Sequence, residues 1–260
     1  KLSAAGAIVY STYFGAGTGR TEIRGIAVDS VGSAWITGST PASAATATDL
    51  FVTKLNASGT VAVFTNYIRG SKDESGNAIV LDSTGNAYVT GQTASTNFTT
   101  TAGALQTSFG GGPAFRSADA GSNWSAGAGL TATSLYALGL ASTTPATLYA
   151  GADDETGGGV FKSADGGNNW TAASTGLTDA HVHALAADPV TPATVYAGTR
   201  AGVFKTTNSG ASWSATTLNN VLVTALAIDP LTPATIYAGT ESSGLYKSTN
   251  GGTTWTAANN

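Results

Sequence analysis

Ser163-Ala-Asp165-Gly-Gly167-Asn-Asn-Trp170 decides the fold of this chain, because it is one of four copies. The pattern Ser/Thr-x-Asp/Asn-x-Gly-x-x-Trp also reads Ser117-Ala-Asp119-Ala-Gly121-Ser-Asn-Trp124 upstream. Downstream it reads Thr206-Thr-Asn208-Ser-Gly210-Ala-Ser-Trp213 and Ser248-Thr-Asn250-Gly-Gly252-Thr-Thr-Trp255. Successive Trp residues lie 46, 43 and 42 positions apart. A period of that size marks one supersecondary unit copied in tandem, as in propeller blades.

Around each copy the parts keep a constant order. An alternating apolar stretch such as Val223-Thr-Ala-Leu-Ala-Ile-Asp229-Pro230 comes first, then Ile236-Tyr-Ala-Gly239, then Gly244-Leu-Tyr-Lys-Ser248, the Asp/Asn-Gly turn, and a last strand through the Trp. Alternation over four to eight residues between Gly, Pro, Asn and Asp clusters reads as β-strand. Four short strands per unit, joined by turns too tight for helices, make an antiparallel propeller blade.

The N-terminal half repeats differently. Ile26-Ala-Val-Asp29-Ser-Val-Gly32-Ser-Ala-Trp-Ile-Thr-Gly38 returns as Ile79-Val-Leu-Asp82-Ser-Thr-Gly85-Asn-Ala-Tyr-Val-Thr-Gly91. Phe51-Val-Thr-Lys54-Leu-Asn-Ala-Ser-Gly59 supplies a third strand, and Val63-Phe-Thr-Asn-Tyr-Ile-Arg-Gly70 a fourth that echoes Val9-Tyr-Ser-Thr-Tyr-Phe-Gly15. On these residues, Val9 to about Gly112 resembles SBBP β-propeller repeats. From Phe115 onward the chain is similar to the BNR, or Asp-box, repeats of sialidases, sortilin-type receptors, xyloglucanases and photosystem II assembly-factor-like proteins. The junction falls inside one blade. The expected fold is all-β, one propeller over residues 1–260 with five four-stranded antiparallel blades: 20–70, 72–126, 130–173, 177–216 and 219–258. Ala7–Gly15 is left over as an orphan strand, expected to pair within its own ring or, by strand addition, with a second chain.

Composition narrows the function classes. Charged residues are 10% of the chain and the net charge is −4, so no basic face for nucleic acid is implied. No apolar run approaches the roughly 18 residues of a membrane helix. The absence of Cys excludes disulfides, thiolate metal sites and Cys nucleophiles. The absence of Met, even at position 1, leads us to expect a processed or excised piece of a longer product, with a removed secretion signal as the cause.

The repeats supply an internal test of role. A residue found at the same blade position every time serves the blade, whereas a charged residue present once is a site candidate. By that test Asp119, Trp124, Asp165, Trp170, Asn208, Trp213, Asn250 and Trp255 are structural: the carboxylate or amide accepts from turn amides, Gly permits positive φ, and Trp packs on a neighbouring strand. Lys54, Arg116, Lys162, Lys205 and Lys247 recur on the third strand, where we expect aliphatic stems over the blade and exposed charge. Asp29, Asp82, Asp188 and Asp229 recur at the first hairpin turn as local caps.

What remains falls in loops of one face, the one that binds ligands in most propellers. Arg69, Asp73 and Glu74 lie between blades, while Asp153, Asp154, Arg200 and Glu241 lie between second and third strands. They are the expected ligand-lining residues, with stability insensitive to their substitution. The long loops 38–49 and 91–112, the latter with Phe98 and Phe109, open on the same face. His181-Val-His183 lacks an evident third ligand, and Asp153-Asp-Glu155 lacks the alternation of a calcium loop, so neither a metal nor a cofactor is expected.

The resemblance to Asp-box proteins raises glycoside hydrolysis. A sialidase-like site needs three convergent Arg and a Tyr nucleophile, a xyloglucanase-like one two opposed carboxylates. The Arg-Ile-Pro motif is absent. The expected function is therefore a non-catalytic, secreted or cell-surface bacterial propeller used in assembly, adhesion or recognition of protein or glycan, with self-association through Ala7–Gly15 as one route. The alternative is a glycan-binding or glycoside-hydrolase-like propeller.

Overall fold

A computed structural model of the chain describes residues 20–42, 47–95, 97, 114–117, 125–132, 134–153 and 157–258. These form five four-stranded antiparallel sheets, and no helix occurs among them. The first sheet holds β1 to β4 (Glu22–Val28, Ala34–Pro41, Thr48–Leu55, Ala62–Ile68) and the second β5 to β8 (Glu74–Leu81, Ala87–Thr93, Ala114–Ser117, Ser125–Ala126). The third holds β9 to β12 (Leu135–Ala141, Thr147–Ala152, Gly159–Ser163, Thr171–Ala172) and the fourth β13 to β16 (Val182–Ala187, Val195–Thr199, Gly202–Thr206, Ser214–Asn219). The fifth holds β17 to β20 (Val223–Ile228, Ile236–Thr240, Leu245–Ser248, Thr256–Ala257). Strands are adjacent in chain order within every sheet, the meander of a propeller blade. Ala7–Gly15, Asp119, Trp124, Asp154, Phe98 and Phe109 lie outside the described residues.

The turns form for reasons written in their residues. At the first hairpin of four of the five blades an Asp accepts amides two to four residues on: Asp29 Oδ1 from Val31 and Ser33, Asp82 Oδ1 from Thr84 and Asn86, Asp188 Oδ1 from Val190 and Thr191, Asp229 Oδ1 from Leu231 and Thr232; in the third blade Thr143 Oγ1 takes the Thr147 amide. The three described motif turns share one hydrogen-bond plan. Ser163, Thr206 and Ser248 donate their hydroxyls to Asp165, Asn208 and Asn250, and receive the amides of Gly167, Gly210 and Gly252. The same Asp/Asn oxygen then takes the amide four residues on, from Asn169, Ser212 and Thr254. Two successive residues are left-handed in each turn: Gly166 and Gly167, Ser209 and Gly210, Gly251 and Gly252. Glycine at the second of these is also required by space. A Cβ on Gly210 or Gly252 would meet a ring carbon of Tyr149 or Tyr196 at 3.2 Å.

Those two tyrosines belong to the preceding blades, and that contact is how blades stack. The second-strand aromatics Trp35, Tyr88, Tyr149 and Tyr196 are all buried. Around Tyr88, Tyr149 and Tyr196 lie the motif turns of the third, fourth and fifth blades. The cores are accordingly shared between neighbours. Val52, Trp35 and Ile68 pack with Ile79, Ala87 and Val89 between the first two blades, and Tyr149, Val160 and Ala141 with Val195, Phe204 and Trp213 between the third and fourth. The innermost strands pack in sequence, β1 on β5, β5 on β9, β9 on β13 and β13 on β17, with no comparable packing of β17 on β1.

One expectation about the repeated bases is overturned. It fails for Arg116, Lys162 and Lys205, whose charged groups are bonded to the next blade, while Lys247 meets no such acceptor among the described residues. Lys162 Nζ donates to Ser209 O and Lys205 Nζ to Gly251 O, each at 2.9 Å, and Arg116 donates to Asn168 Oδ1 at 2.5 Å. Each acceptor is on the next blade's motif turn: for the two lysines it is the carbonyl of the left-handed residue before the motif glycine, for Arg116 the side chain of Asn168. Lys54 differs, pairing with Asp29 in its own blade at 2.9 Å. Tyr196 adds its hydroxyl to Gly251 O at 3.0 Å; burial, then the charge of Asp188, push that phenol up to about 12, so it remains the donor.

Candidate functional site at the mouth of the central channel

The five first strands pack on one another in series from β1 to β17, and each carries a β-bulge at one equivalent place. The pairing of each with its second strand skips one residue: Arg24, Asn77, Tyr136, His183 and Thr224. In every blade that residue stands three before the one opposite the second-strand aromatic, as Arg24 does before Ala27, which faces Trp35. A bulge bends the strand and re-aims the unpaired side chain. Four of them link neighbouring blades, whereas the Thr224 hydroxyl donates to Gly239 O of its own blade at 3.4 Å. Arg24 Nη1 donates to Asn77 Oδ1 at 3.0 Å, Asn77 Nδ2 donates to Leu135 O at 2.9 Å, and the Tyr136 and His183 rings lie 6.1 Å apart.

At the first two blades opens a cavity of ≈ 720 Å³ lined by Arg20, Glu22, Arg24, Asp73, Gln92 and Ser134 among others. Glu22 holds both arginines, Arg24 at 2.9 Å and Arg20 at 3.2 Å. The hydrogen bond from Arg24 and the charges of Arg20 and Arg24 hold its carboxyl below the usual range. Asp73 Oδ1 accepts the Thr48 amide at 2.8 Å, tying the second blade to the first. Glu74 is on the floor and only 1% exposed. Its Oε2 accepts the Gly70 amide at 2.7 Å, while its Oε1 accepts the hydroxyls of Thr93 at 2.8 Å and Ser95 at 2.5 Å. Glu74 is therefore a structural clamp rather than an open ligand contact, and the expectation that its loss would leave stability unchanged is corrected.

A second charged group sits at the same end of the third and fourth blades. Asp153 follows β10 and takes Arg200 Nη2 at 3.1 Å. The Nε2 atoms of His181 and His183 each lie 3.9 Å from an Asp153 oxygen, buried and without a hydrogen-bond partner. Asp179 clamps this corner, accepting His181 Nδ1 at 2.9 Å and the Ala201 amide at 2.6 Å. Burial raises the Asp179 carboxyl, but the bonds from His181, Ala201 and Thr199 outweigh it and the net shift is downward. Burial lowers the His183 imidazole, against the upward pull of Asp153. No cluster able to hold a metal ion occurs among the described residues.

The sequence candidates thus divide. Asp73, Glu74, Asp153 and Arg200 come to the mouth of the channel. Arg69 does not line the cavity: its Nε meets Asp49 at 2.9 Å and its guanidinium lies 4.9 Å over Tyr67 of the fourth strand. Glu241 is exposed in the turn after β18, its amide on Leu222 O. All five bulge residues lie within strands, and of them the sequence singled out only His183, as half of a metal pair. Their signal was present, since one blade position holds Arg, Asn, Tyr, His and Thr in turn while its neighbours stay small and apolar.

The SBBP β-propeller repeat model matches residues 9–42 and 67–99. No curated protein matches the chain. Among solved structures, the GH74 enzyme of Niastella koreensis is 25% identical with a TM-score of 0.48, over 70% of this chain and 29% of that one. YCF48, in a structure bound to a D1 peptide, is 16% identical with a TM-score of 0.54, over 90% of this chain and 66% of that one. A gluconolactonase of Xanthomonas campestris is 14% identical with a TM-score of 0.56, over 86% and 71% of the two chains. This chain spans less than a third of the length of the GH74 enzymes it matches. Residues 9–42 and 67–99 thus carry SBBP β-propeller repeats. YCF48 and the gluconolactonase share its propeller-type fold, which fixes no activity.

Proposed function

We propose that the chain is one non-catalytic propeller domain that binds an extended polar ligand, a peptide or glycan, across the mouth of its central channel. The observation that carries this reading is the series of bulge residues, five different side chains on one repeated backbone position, of which Arg24 lines the cavity itself. The charged groups nearby favour binding over hydrolysis. Of the four unrepeated arginines, Arg20 and Arg24 share Glu22, Arg69 is with Asp49 and Arg200 with Asp153, so no three converge. The cavity's carboxylates are engaged as well, Glu22 by arginines, Asp73 by Thr48 and Glu74 by its clamp. That leaves no free acid–base pair of the kind glycoside hydrolysis needs among the described residues.

The motif turns support reading the C-terminal blades as Asp-box repeats, and the charge-poor, Ser- and Thr-rich composition supports a role outside the bacterial cell, in assembly, adhesion or recognition. Screening the labelled protein against glycan and peptide arrays tests the site. Arg24→Ala and Tyr136→Ala should each weaken binding of any hit about tenfold or more, a loss of ~1.4 kcal/mol, with the melting temperature unchanged. Hits that ignore both substitutions would move the site elsewhere, and turnover of a β-glucan or sialoside would refute the non-catalytic reading.

A further inference from the structure

The inter-blade latch occurs in the same register in four blades, and only three of those copies are occupied. Tyr88 faces Arg116, Tyr149 faces Lys162, Tyr196 faces Lys205 and Tyr237 faces Lys247 across the second and third strands. The ammonium lies 5.9, 5.3 and 5.4 Å over the ring in the last three. In the third and fourth blades the tyrosine is 0% and 2% exposed, covered by the next motif turn, whose carbonyl takes the lysine. In the fifth blade Tyr237 is only half-buried, Ala227 beside it is exposed, and Lys247 meets no turn carbonyl among the described residues.

We propose that this outer face of the fifth blade is a docking surface for a further blade bearing the Ser/Thr-x-Asp/Asn-x-Gly-x-x-Trp turn. The three occupied copies define the partner's chemistry. Its motif glycine lies flat on the Tyr237 ring, where a Cβ would meet ring carbons at 3.2–3.4 Å as at Gly167, Gly210 and Gly252. The left-handed residue before that glycine offers its carbonyl to Lys247, as Ser209 and Gly251 do to their lysines. A second copy of this chain is a poor occupant. Its described motif turns, at 163–170, 206–213 and 248–255, are already held by the bases of their own preceding blades.

The test adds such a blade to the full chain by appending a duplicate of residues 219–258 after residue 258. The probe is acetylation of lysine amines, followed residue by residue by mass spectrometry, with Lys205 as the interior reference. In the unextended chain Lys247 should react about tenfold faster than Lys205. In the extended chain it should slow to the Lys205 rate, and the duplicate of Lys247 should become the fast one. Replacing the duplicate of Gly252 by valine should restore fast acetylation of Lys247. The proposal is overturned if Lys247 is already as slow as Lys205 in the unextended chain, or stays fast in the extended one. An appended blade that remains open to protease also counts against it, because a repeat of this kind buries its apolar face only by stacking on a neighbour.

Discussion

Substituting Lys205 by Met tests the latch where it is occupied. Met keeps the length and apolar body of the lysine stem, so packing over Tyr196 is largely preserved and the change removes charge. The bond lost is the 2.9 Å donation to Gly251 O. A hydrogen bond with one charged partner contributes about 1.5–3 kcal/mol, and the ammonium at 5.3 Å from the Tyr196 ring adds about 0.5–1 kcal/mol. Two effects reduce the sum. Lys205 is only half-buried and recovers hydration when the fold opens, and Gly251 O keeps the Tyr196 hydroxyl, so no carbonyl is orphaned. The expected cost is about 1–2 kcal/mol. It should act on one interface, since each blade of a repeat array contacts only its neighbours. Amide hydrogen exchange of β17–β20 is therefore the assay, and opening of the fifth blade should become about five- to thirtyfold more frequent. Lys247→Met is the control within the same chain: it loses the same ammonium–ring contact, at 5.4 Å, but no carbonyl bond, so its change should not exceed about 0.5–1 kcal/mol. Tyr196→Phe combined with Lys205→Met should exceed the sum of the single effects, because only the pair leaves Gly251 O unpaired. Equal effects at 205 and 247, or strictly additive behaviour of the pair, would refute the latch.

Further perturbations address other links. Glu74→Ala should destabilise by about 3 kcal/mol, leaving one half-buried amide and two hydroxyls without their acceptor, whereas Glu241→Ala should stay within about 0.5 kcal/mol; urea unfolding separates them. Trp213→Ala should cost about 3–5 kcal/mol, because its ring is buried and its Nε1 donates to Ala173 O of the preceding blade at 2.7 Å, and half-buried Trp255→Ala should cost less. Asp165 is raised by burial but lowered further by bonds from Asn169, Ser163 and Asn168. Its folded pKa thus lies below the unfolded one, so its contribution is present above about pH 4 and is lost as pH falls through the folded value. Asp165→Asn, the residue type the next two blades use, should flatten that acid limb in melting curves between about pH 5 and 2; an unchanged limb would sink the assignment.

Strand order and turn positions were legible in the sequence because they rest on local rules: alternation, Asp at hairpin starts, and glycine where the backbone turns left-handed. The end at which each loop emerges was legible too, since strand direction fixes it. What depended on a neighbouring blade was not. The repeated lysines read as surface charge because their acceptors, Ser209 O and Gly251 O, stand 47 and 46 residues further on. Glu74 read as a loop carboxylate because its partners Thr93 and Ser95 come from the far end of the adjoining strand, about twenty residues later. Uniqueness among repeats marks a residue as special without saying whether it is special for binding or for packing.

The bulge in each innermost strand has an evolutionary consequence. A side chain inside a β-ladder must suit the partners directly across from it, so replacing it disturbs the sheet. The bulged residue has no such partner, and the blade tolerates Arg, Asn, Tyr, His or Thr there with the same strand pairing on either side. Duplication of a blade thus copies a stable unit together with one free position on its first strand. Selection can rewrite that position blade by blade while the stacking surfaces, which tolerate little, stay as they were.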